Sequence, residues 1–189
     1  IIMKIFAHIA GPSGSGKTTL GEKIKKKFPF VVIKDLDEFY RPYLDKGVNS
    51  SEMDVKEMLK KDIVKFLKEN KNSTIIFTGS NTITQSNDFS DAIYYNIEAD
   101  HKFFIDIDLE VVLKRRFDRH IKYMLDNLDH YFEKGKRKGK LIIDFDLWKK
   151  KIEASYKSGY YEKHDYELLD NNEIYKRITR VLKTIKIPK

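Results

Sequence analysis

Nine consecutive residues, Gly11-Pro12-Ser13-Gly14-Ser15-Gly16-Lys17-Thr18-Thr19, constrain this chain more than any other stretch. They fit G-x-x-x-x-G-K-[ST] without a mismatch, the pattern of a phosphate-binding loop. The run Ile5-Phe6-Ala7-His8-Ile9-Ala10 before them predicts a short buried strand, and Leu20-Gly21-Glu22-Lys23-Ile24-Lys25-Lys26 after them predicts a helix. Glycines let the backbone turn tightly, so successive N–H groups can face one hollow. The helix that starts near Lys17 adds its unpaired N–H groups and the positive end of its dipole. In such a hollow Lys17 places a charge on the β- and γ-phosphates of a nucleotide. Thr18 offers a hydroxyl to Mg²⁺, and Thr19 reaches the α-phosphate. The competing reading is a Gly/Ser-rich turn that binds nothing, and the flanking strand and helix argue against it.

Strands and helices alternate along the rest of the chain. Residues 30–34, 74–78, 102–107 and 165–169 read as further strands, short and rich in apolar residues. A helix is expected after a capping-type start at Ser51, with Val55, Met58, Leu59, Ile63, Phe66 and Leu67 at helical spacing. A long helix is expected over 109–132, with Leu113, Phe117, Ile121, Met124 and Leu128 as its stripe. Residues 144–161 read as helical, and Asp170 or Asn171 caps a last helix carrying Ile174, Ile178, Val181, Leu182 and Ile185. Residues 43–51 read as a mobile loop, and 82–100 carry a weak helical signal near 87–93. This alternation implies one α/β domain over 1–189 with a parallel sheet. A chain of 189 residues suits that size.

Composition narrows the class. No apolar run approaches the ~20 residues a membrane helix needs, and the few residues before the first strand are too short for a signal peptide. There is no cysteine, so neither a disulfide framework nor a thiolate metal site is available. A reducing, cytoplasmic setting is the expectation. The net charge of +8 suits an anionic ligand such as ATP and would also suit nucleic acid, a less favoured partner.

Several residues are placed to do chemistry. Asp37 follows the second strand, in what reads as a loop, since Pro42 argues against any helix continuing through Arg41. Open α/β sheets bind ligands at the carboxyl ends of their strands. A carboxylate there can take the proton of an attacking hydroxyl or hold Mg²⁺ through water. Asp35 competes for either role. Tyr40 can stack on a base or sugar, Arg41 can fork onto an acceptor, and Ser80 lies at the tip of the third strand. Arg115, Arg116 and Arg119 sit at i,i+3 and i,i+4 spacing, so two or three share a helix face. Guanidinium groups there can stabilise a phosphoryl group in transfer. Residues 134–140, Glu133's basic and glycine-broken continuation, belong to a candidate lid over 115–143 that would exclude water. Asp106 is a further metal candidate, and Asp108 reads as a helix cap. The five histidines have no metal-ligand spacing, and His8 reads as a core histidine with its hydrogen bonds met.

These residues resemble the small P-loop kinases, most nearly the uridine kinase-like and nicotinamide riboside kinase-like group. The resemblance rests on Gly11–Thr19, on Asp37-Glu38-Phe39-Tyr40-Arg41, and on Phe104-Ile105-Asp106 followed by Leu113-x-Arg115-Arg116-x-x-Arg119. It implies a P-loop NTPase fold, three-layered α/β/α, with a five-stranded parallel sheet in order 2-3-1-4-5. It implies ATP and Mg²⁺ held by Lys17 and Thr18, Asp37 as catalytic carboxylate, lid arginines at 115–119, and a nucleoside as acceptor. The family's third strand often ends in Glu-Gly with the Glu near Mg²⁺, whereas this chain has Thr78-Gly79. Either Asp35 or Asp106 supplies that charge through water, or the metal is held more weakly. The alternatives are a polynucleotide 5′-hydroxyl kinase, a nucleoside monophosphate kinase, and a nucleotide-dependent binding module without catalysis.

Overall fold

The computed structural model describes residues 5–39, 52–80, 82–83, 93–94, 97–127, 132–133, 136–137, 145–157 and 160–185. Its main sheet is built from β1 (Ile5–Ala10), β2 (Val31–Asp35), β3 (Thr74–Thr78), β6 (Ala99–Ile105) and β9 (Glu167–Leu169). The spatial order is β2-β3-β1-β6-β9, all parallel. Numbered among themselves, these five strands run 2-3-1-4-5, the order the resemblance implies.

β1 lies at the centre and is covered on both faces, which is why its sequence is apolar without alternation. Ala7, Ile9 and Ala10 are fully buried. On one face α1 (Lys17–Lys27) and α6 (Asn171–Leu182) bring Leu20, Ile24, Ile174, Ile178 and Leu182 onto Ala7, Ile9, Phe103 and Ile105. On the other face α2 (Glu52–Glu69) adds Leu67 and Phe66 to Leu36, Ile75 and Phe77. The short α5 (Tyr160–Lys163) packs Tyr161 against Phe104 and Tyr166. Three layers result, helix–sheet–helix.

The registers align the strand ends that matter. Ile9 stands opposite Thr78, Asp35 opposite Thr78, and Ala10 opposite Phe104. The carboxyl ends of β1, β2, β3 and β6 therefore meet at one rim of the sheet, and the residues that follow them share one space.

Several expectations need correcting. The long helix α3 runs Leu109–Asp126 and stops six residues short of 132. Asn127 ends it: its backbone N–H bonds the Met124 carbonyl at 3.2 Å and its side-chain amide donates to the Tyr123 carbonyl at 2.8 Å. An Asn side chain that takes a backbone carbonyl competes with the next helical turn. Phe132–Glu133 is instead strand β7, paired antiparallel with β8 (Lys136–Arg137) inside the stretch expected to be a basic loop. Likewise Ile93 is not helical. β5 (Ile93–Tyr94) pairs antiparallel with β4 (Thr82–Ile83), and the rest of the expected 87–93 helix lies outside the described residues. The 43–51 loop and the Ser51 cap lie outside them too. The expected 144–161 helix appears as α4 (Phe145–Lys157) and α5.

The two helix caps come out as read. Asp108 accepts from the N–H groups of Glu110 and Val111, and Asp170 accepts from those of Asn172 and Glu173. Asp170, rather than Asn171, is the cap of the last helix.

Candidate functional site

The loop after β1 takes the conformation its glycines permit. Gly14 and Gly16 have φ of 94° and 93°, in the left-handed region. A Cβ at Gly14 would stand 3.1 Å from Arg116 Cγ and 3.3 Å from the Val112 carbonyl oxygen, so α3 packs directly on the loop's apex. Gly16 is the N-cap of α1 and offers no side chain to the helix's first N–H groups. Those donors stay open for an anion. Ser15 Oγ is buried with no hydrogen-bond partner among the described residues. The Lys17 ammonium folds back onto the loop, donating to the Gly11 and Pro12 carbonyls at 2.8 and 2.9 Å. It thereby holds the hollow's outline.

A cleft of about 580 Å³ opens beside this loop. Its walls include Gly11, Ser13, Gly14, Lys17, Thr18 and Thr19 on one side, and Asp35, Asp37 and Ser80 on the other. Arg115 and Arg119 come from α3, and Arg119 Nη2 donates to Ser13 Oγ at 2.9 Å. Residues far apart in sequence thus meet around one space, lined mainly by polar and charged residues with Leu20 among them.

The two carboxylates differ in setting. Asp35 ends β2 and is partly buried; its Oδ1 accepts from the Asp37 backbone N–H at 3.0 Å. Burial raises its carboxyl above the usual range, more than the Asp37 N–H and Lys17 lower it. Asp37 is exposed, and residues 37–39 are helical where the sequence predicts a loop. Lys17 is lowered to about 8, chiefly by burial, although Asp37 and Asp35 pull the other way. Asp106 does not line this cleft among the described residues, whereas Asp35 does, directly across from Thr78.

Arg116 points elsewhere. Its guanidinium carbon lies 4.9 Å from the centre of the Trp148 ring on α4. Tyr40 and Arg41 lie outside the described residues, as does most of the basic stretch at 134–140. The sequence reading missed four cleft residues: Leu20, Lys23, Asn171 and Asn172. Asn171 was legible only as a capping candidate. In the fold its amide donates to the Ser15 carbonyl at 2.8 Å, pinning the start of α6 to the phosphate loop.

The Mg²⁺ and ATP implied by the loop can be tested against these groups. Hard oxygen donors, the Thr18 hydroxyl and the Asp35 carboxylate, suit Mg²⁺. No cluster of three or more His, Cys, Asp or Glu side chains that could hold a metal occurs among the described residues. The uncapped helix start and the orphaned Ser15 hydroxyl fit a bound phosphate chain.

A family model described as an AAA domain (AAA_17) matches residues 10–131, more than half of the chain. The chain belongs to this family. The AAA-domain match spans the phosphate loop, both carboxylates and the three arginines of α3. Among solved structures the chain is similar to a shikimate kinase from Bacteroides thetaiotaomicron, at 16% identity and a TM-score of 0.54, over 95% of this chain and 98% of that one. It is also similar to the tunicamycin resistance protein of Deinococcus radiodurans, at 14% identity and a TM-score of 0.53, over 98% and 99% of the two chains. These likenesses concern the fold. No curated protein matches. No helix among the described residues is long and apolar enough to cross a membrane.

Proposed function

We propose that this chain is an ATP-dependent phosphotransferase that moves the γ-phosphoryl group of ATP to a hydroxyl of a small molecule. The observation that carries the reading is the convergence of Lys17, Thr18, Asp35, Asp37, Arg115 and Arg119 on one cleft. A loop that grips a triphosphate needs only the first two. Carboxylates across the gap add a place for an acceptor.

The roles divide by setting. The open N–H groups of α1 and residues 11–19 bind the phosphate chain. Lys17 leaves the Gly11 and Pro12 carbonyls for the β- and γ-oxygens. Thr18 and Asp35 hold Mg²⁺, which when bound neutralises charge on the phosphates. Asp35 thereby stands in for the acid the resembling family carries where this chain has Thr78. Asp37, exposed and facing the same space, accepts the proton of the acceptor hydroxyl. Arg115 and Arg119 stabilise charge on the transferring group, with Arg116 beside them in the lid. Ser80, Tyr40 and Arg41 contact the acceptor. By the resemblance to uridine kinase-like enzymes, a nucleoside is the first acceptor to test; the shikimate kinase of similar fold adds shikimate to the candidates.

The test is an ATP-consumption screen over nucleosides, nucleotides, shikimate and short oligonucleotides. Asp37→Asn is expected to keep Mg-ATP binding by calorimetry while lowering turnover by about 10²–10⁴-fold. Transfer near the wild-type rate in Asp37→Asn would overturn the base assignment. Binding of ATP with no turnover on any acceptor would leave the binding-module alternative standing.

A further inference from the structure

The run at 115–119 sends its guanidinium groups two ways, and α4 explains how. Arg115 and Arg119 line the cleft, while Arg116 lies over Trp148. Successive residues on an α-helix differ by about 100°, so turning α3 by one residue would exchange Arg116 for Arg115 at the phosphate site. Something must fix that rotation. Val112 is the one buried residue of α3, and the helix exposes Val111, Tyr123 and Leu125. The sheet therefore grips this helix weakly.

The grip comes from α4. Phe117 meets Phe145 with ring centres 5.5 Å apart, Phe145 meets Trp148 at 5.5 Å, and His120 meets Trp148 edge-on at 5.8 Å. Residues 116, 117 and 120 make one face of α3, and 115 and 119 make its neighbour. α4 is in turn tied to the sheet. The Tyr156 hydroxyl lies 3.3 Å from the Ile107 N–H, which donates to it, and 3.2 Å from the Ile107 carbonyl, which accepts. Its ring meets Phe104 of β6 edge-on at 5.1 Å. Arg116 also runs along the apex of the phosphate loop at Gly14. One side chain therefore touches both the loop and the Trp148 ring.

We propose that Trp148 is a positioning residue: by stacking on Arg116 it sets the rotation of α3 that presents Arg115 and Arg119, and not Arg116, to the phosphates. The catalytic half of this proposal rests on the phosphotransferase reading. Burial and the nearby Arg119 lower the Arg116 guanidinium from its ordinary value, as expected for a cation kept from water. An aromatic face attracts such a cation without neutralising it.

The experiment uses Trp148→Ala, Trp148→Phe, Arg116→Met and the double variant Trp148→Ala/Arg116→Met. Trp148 is the chain's only tryptophan, so emission excited at the red edge, where tyrosine does not absorb, reports its surroundings alone. The first readout needs no catalysis: Arg116→Met is expected to shift the emission of the ligand-free protein, and an unchanged spectrum overturns the proposal. The second is kinetic. Trp148→Ala is expected to lower kcat at least ~10-fold, which is about 1.4 kcal/mol of barrier, with KM for ATP within twofold. Trp148→Phe restores most of the rate, and the double variant is no slower than either single one, as coupled residues behave. A loss of melting temperature with kcat unchanged, or fully additive losses, overturns the positioning role. Wild-type protein without turnover would sink the phosphotransferase reading instead, and the emission readout then decides the stacking by itself.

Discussion

His8 is the residue whose burial has the clearest energetic consequence. It sits in the central strand, fully buried, where an apolar side chain would be routine. Its Nε2–H donates to the Gly79 carbonyl at 3.2 Å, which leaves Nδ1 to accept from the Tyr166 hydroxyl at 2.5 Å. Both nitrogens are used, so the imidazole is neutral, and burial lowers it from 6.5 to about 3. The unfolded chain keeps the ordinary value and binds a proton first as pH falls. Stability is therefore complete above about pH 6.5 and declines toward pH 3. By pH 4.5 the loss amounts to roughly 3 kcal/mol from this group. His8→Gln can make the same two contacts without titrating. Urea midpoints measured from pH 7 to 4.5 should fall more steeply in the wild type than in His8→Gln, and parallel curves would contradict this account. Burial lowers Lys17 as well, and the consequence there lies in ligand binding. Held at about 8 before ligand arrives, it is partly neutral at pH 8.5. Phosphate oxygens favour the charged form. Mg-ATP binding at pH 8.5 should take up a fraction of a proton, measured by calorimetry in buffers of different ionisation enthalpy. Lys17→Met should abolish that uptake.

At the scale of elements, the phosphate loop with its strand and helix was legible because its signal is contiguous. β3 was legible to the residue because five apolar or β-branched positions are bounded by polar turns. The end of α3 was not, since the apolar stripe continues past Asp126 and one Asn amide overrides it. Leu113, Phe117, Ile121 and Met124 are half-buried, and Phe117 meets Phe145 of α4, a neighbour that sequence spacing does not identify. The turn after β3 shows how an element can hide a site. Gly79 has φ of 113°, and a Cβ there would stand 2.6 Å from Asp35 Oδ1 and 3.1 Å from the Leu36 nitrogen. That nitrogen donates to the Thr78 carbonyl at 2.7 Å, joining the two strand ends. Gly79→Ala must therefore strain its own backbone and push Asp35 aside. About 1–2 kcal/mol of destabilisation is expected from the left-handed backbone alone. Displacing Asp35 should also raise the Mg²⁺ concentration needed for half-maximal activity. Thermal unfolding and an Mg²⁺ titration separate the two effects. An unchanged Mg²⁺ dependence would remove Asp35 from the metal site.

Across the whole molecule, the cleft gathers residues from 11 to 172, and the sheet order does the gathering. Helical spacing grouped Arg115, Arg116 and Arg119 but could not say which pair faces the loop. Lys23, Asn171 and Asn172 carried no motif, because their place depends on α6 lying beside α1 against the same sheet face. A ligand in this cleft would touch β1's loop, β2's end, α3 and the start of α6 at once. It would thus bind the folded chain and not the unfolded one, and add stability by mass action. At a hundred times its dissociation constant the gain is about 2.7 kcal/mol. For a domain of this length each kcal/mol raises the melting temperature by roughly 2–4 °C, so Mg-ATP should raise it by about 5–10 °C. Lys17→Ala and Thr18→Ala each remove one phosphate or metal contact and should shrink that shift; Thr18, being exposed, should leave the ligand-free melting temperature within about 2 °C when it is truncated. Differential scanning calorimetry with and without Mg-ATP measures all three. If the wild type melts at the same temperature in saturating Mg-ATP, the cleft is not a nucleotide site, whatever its motif.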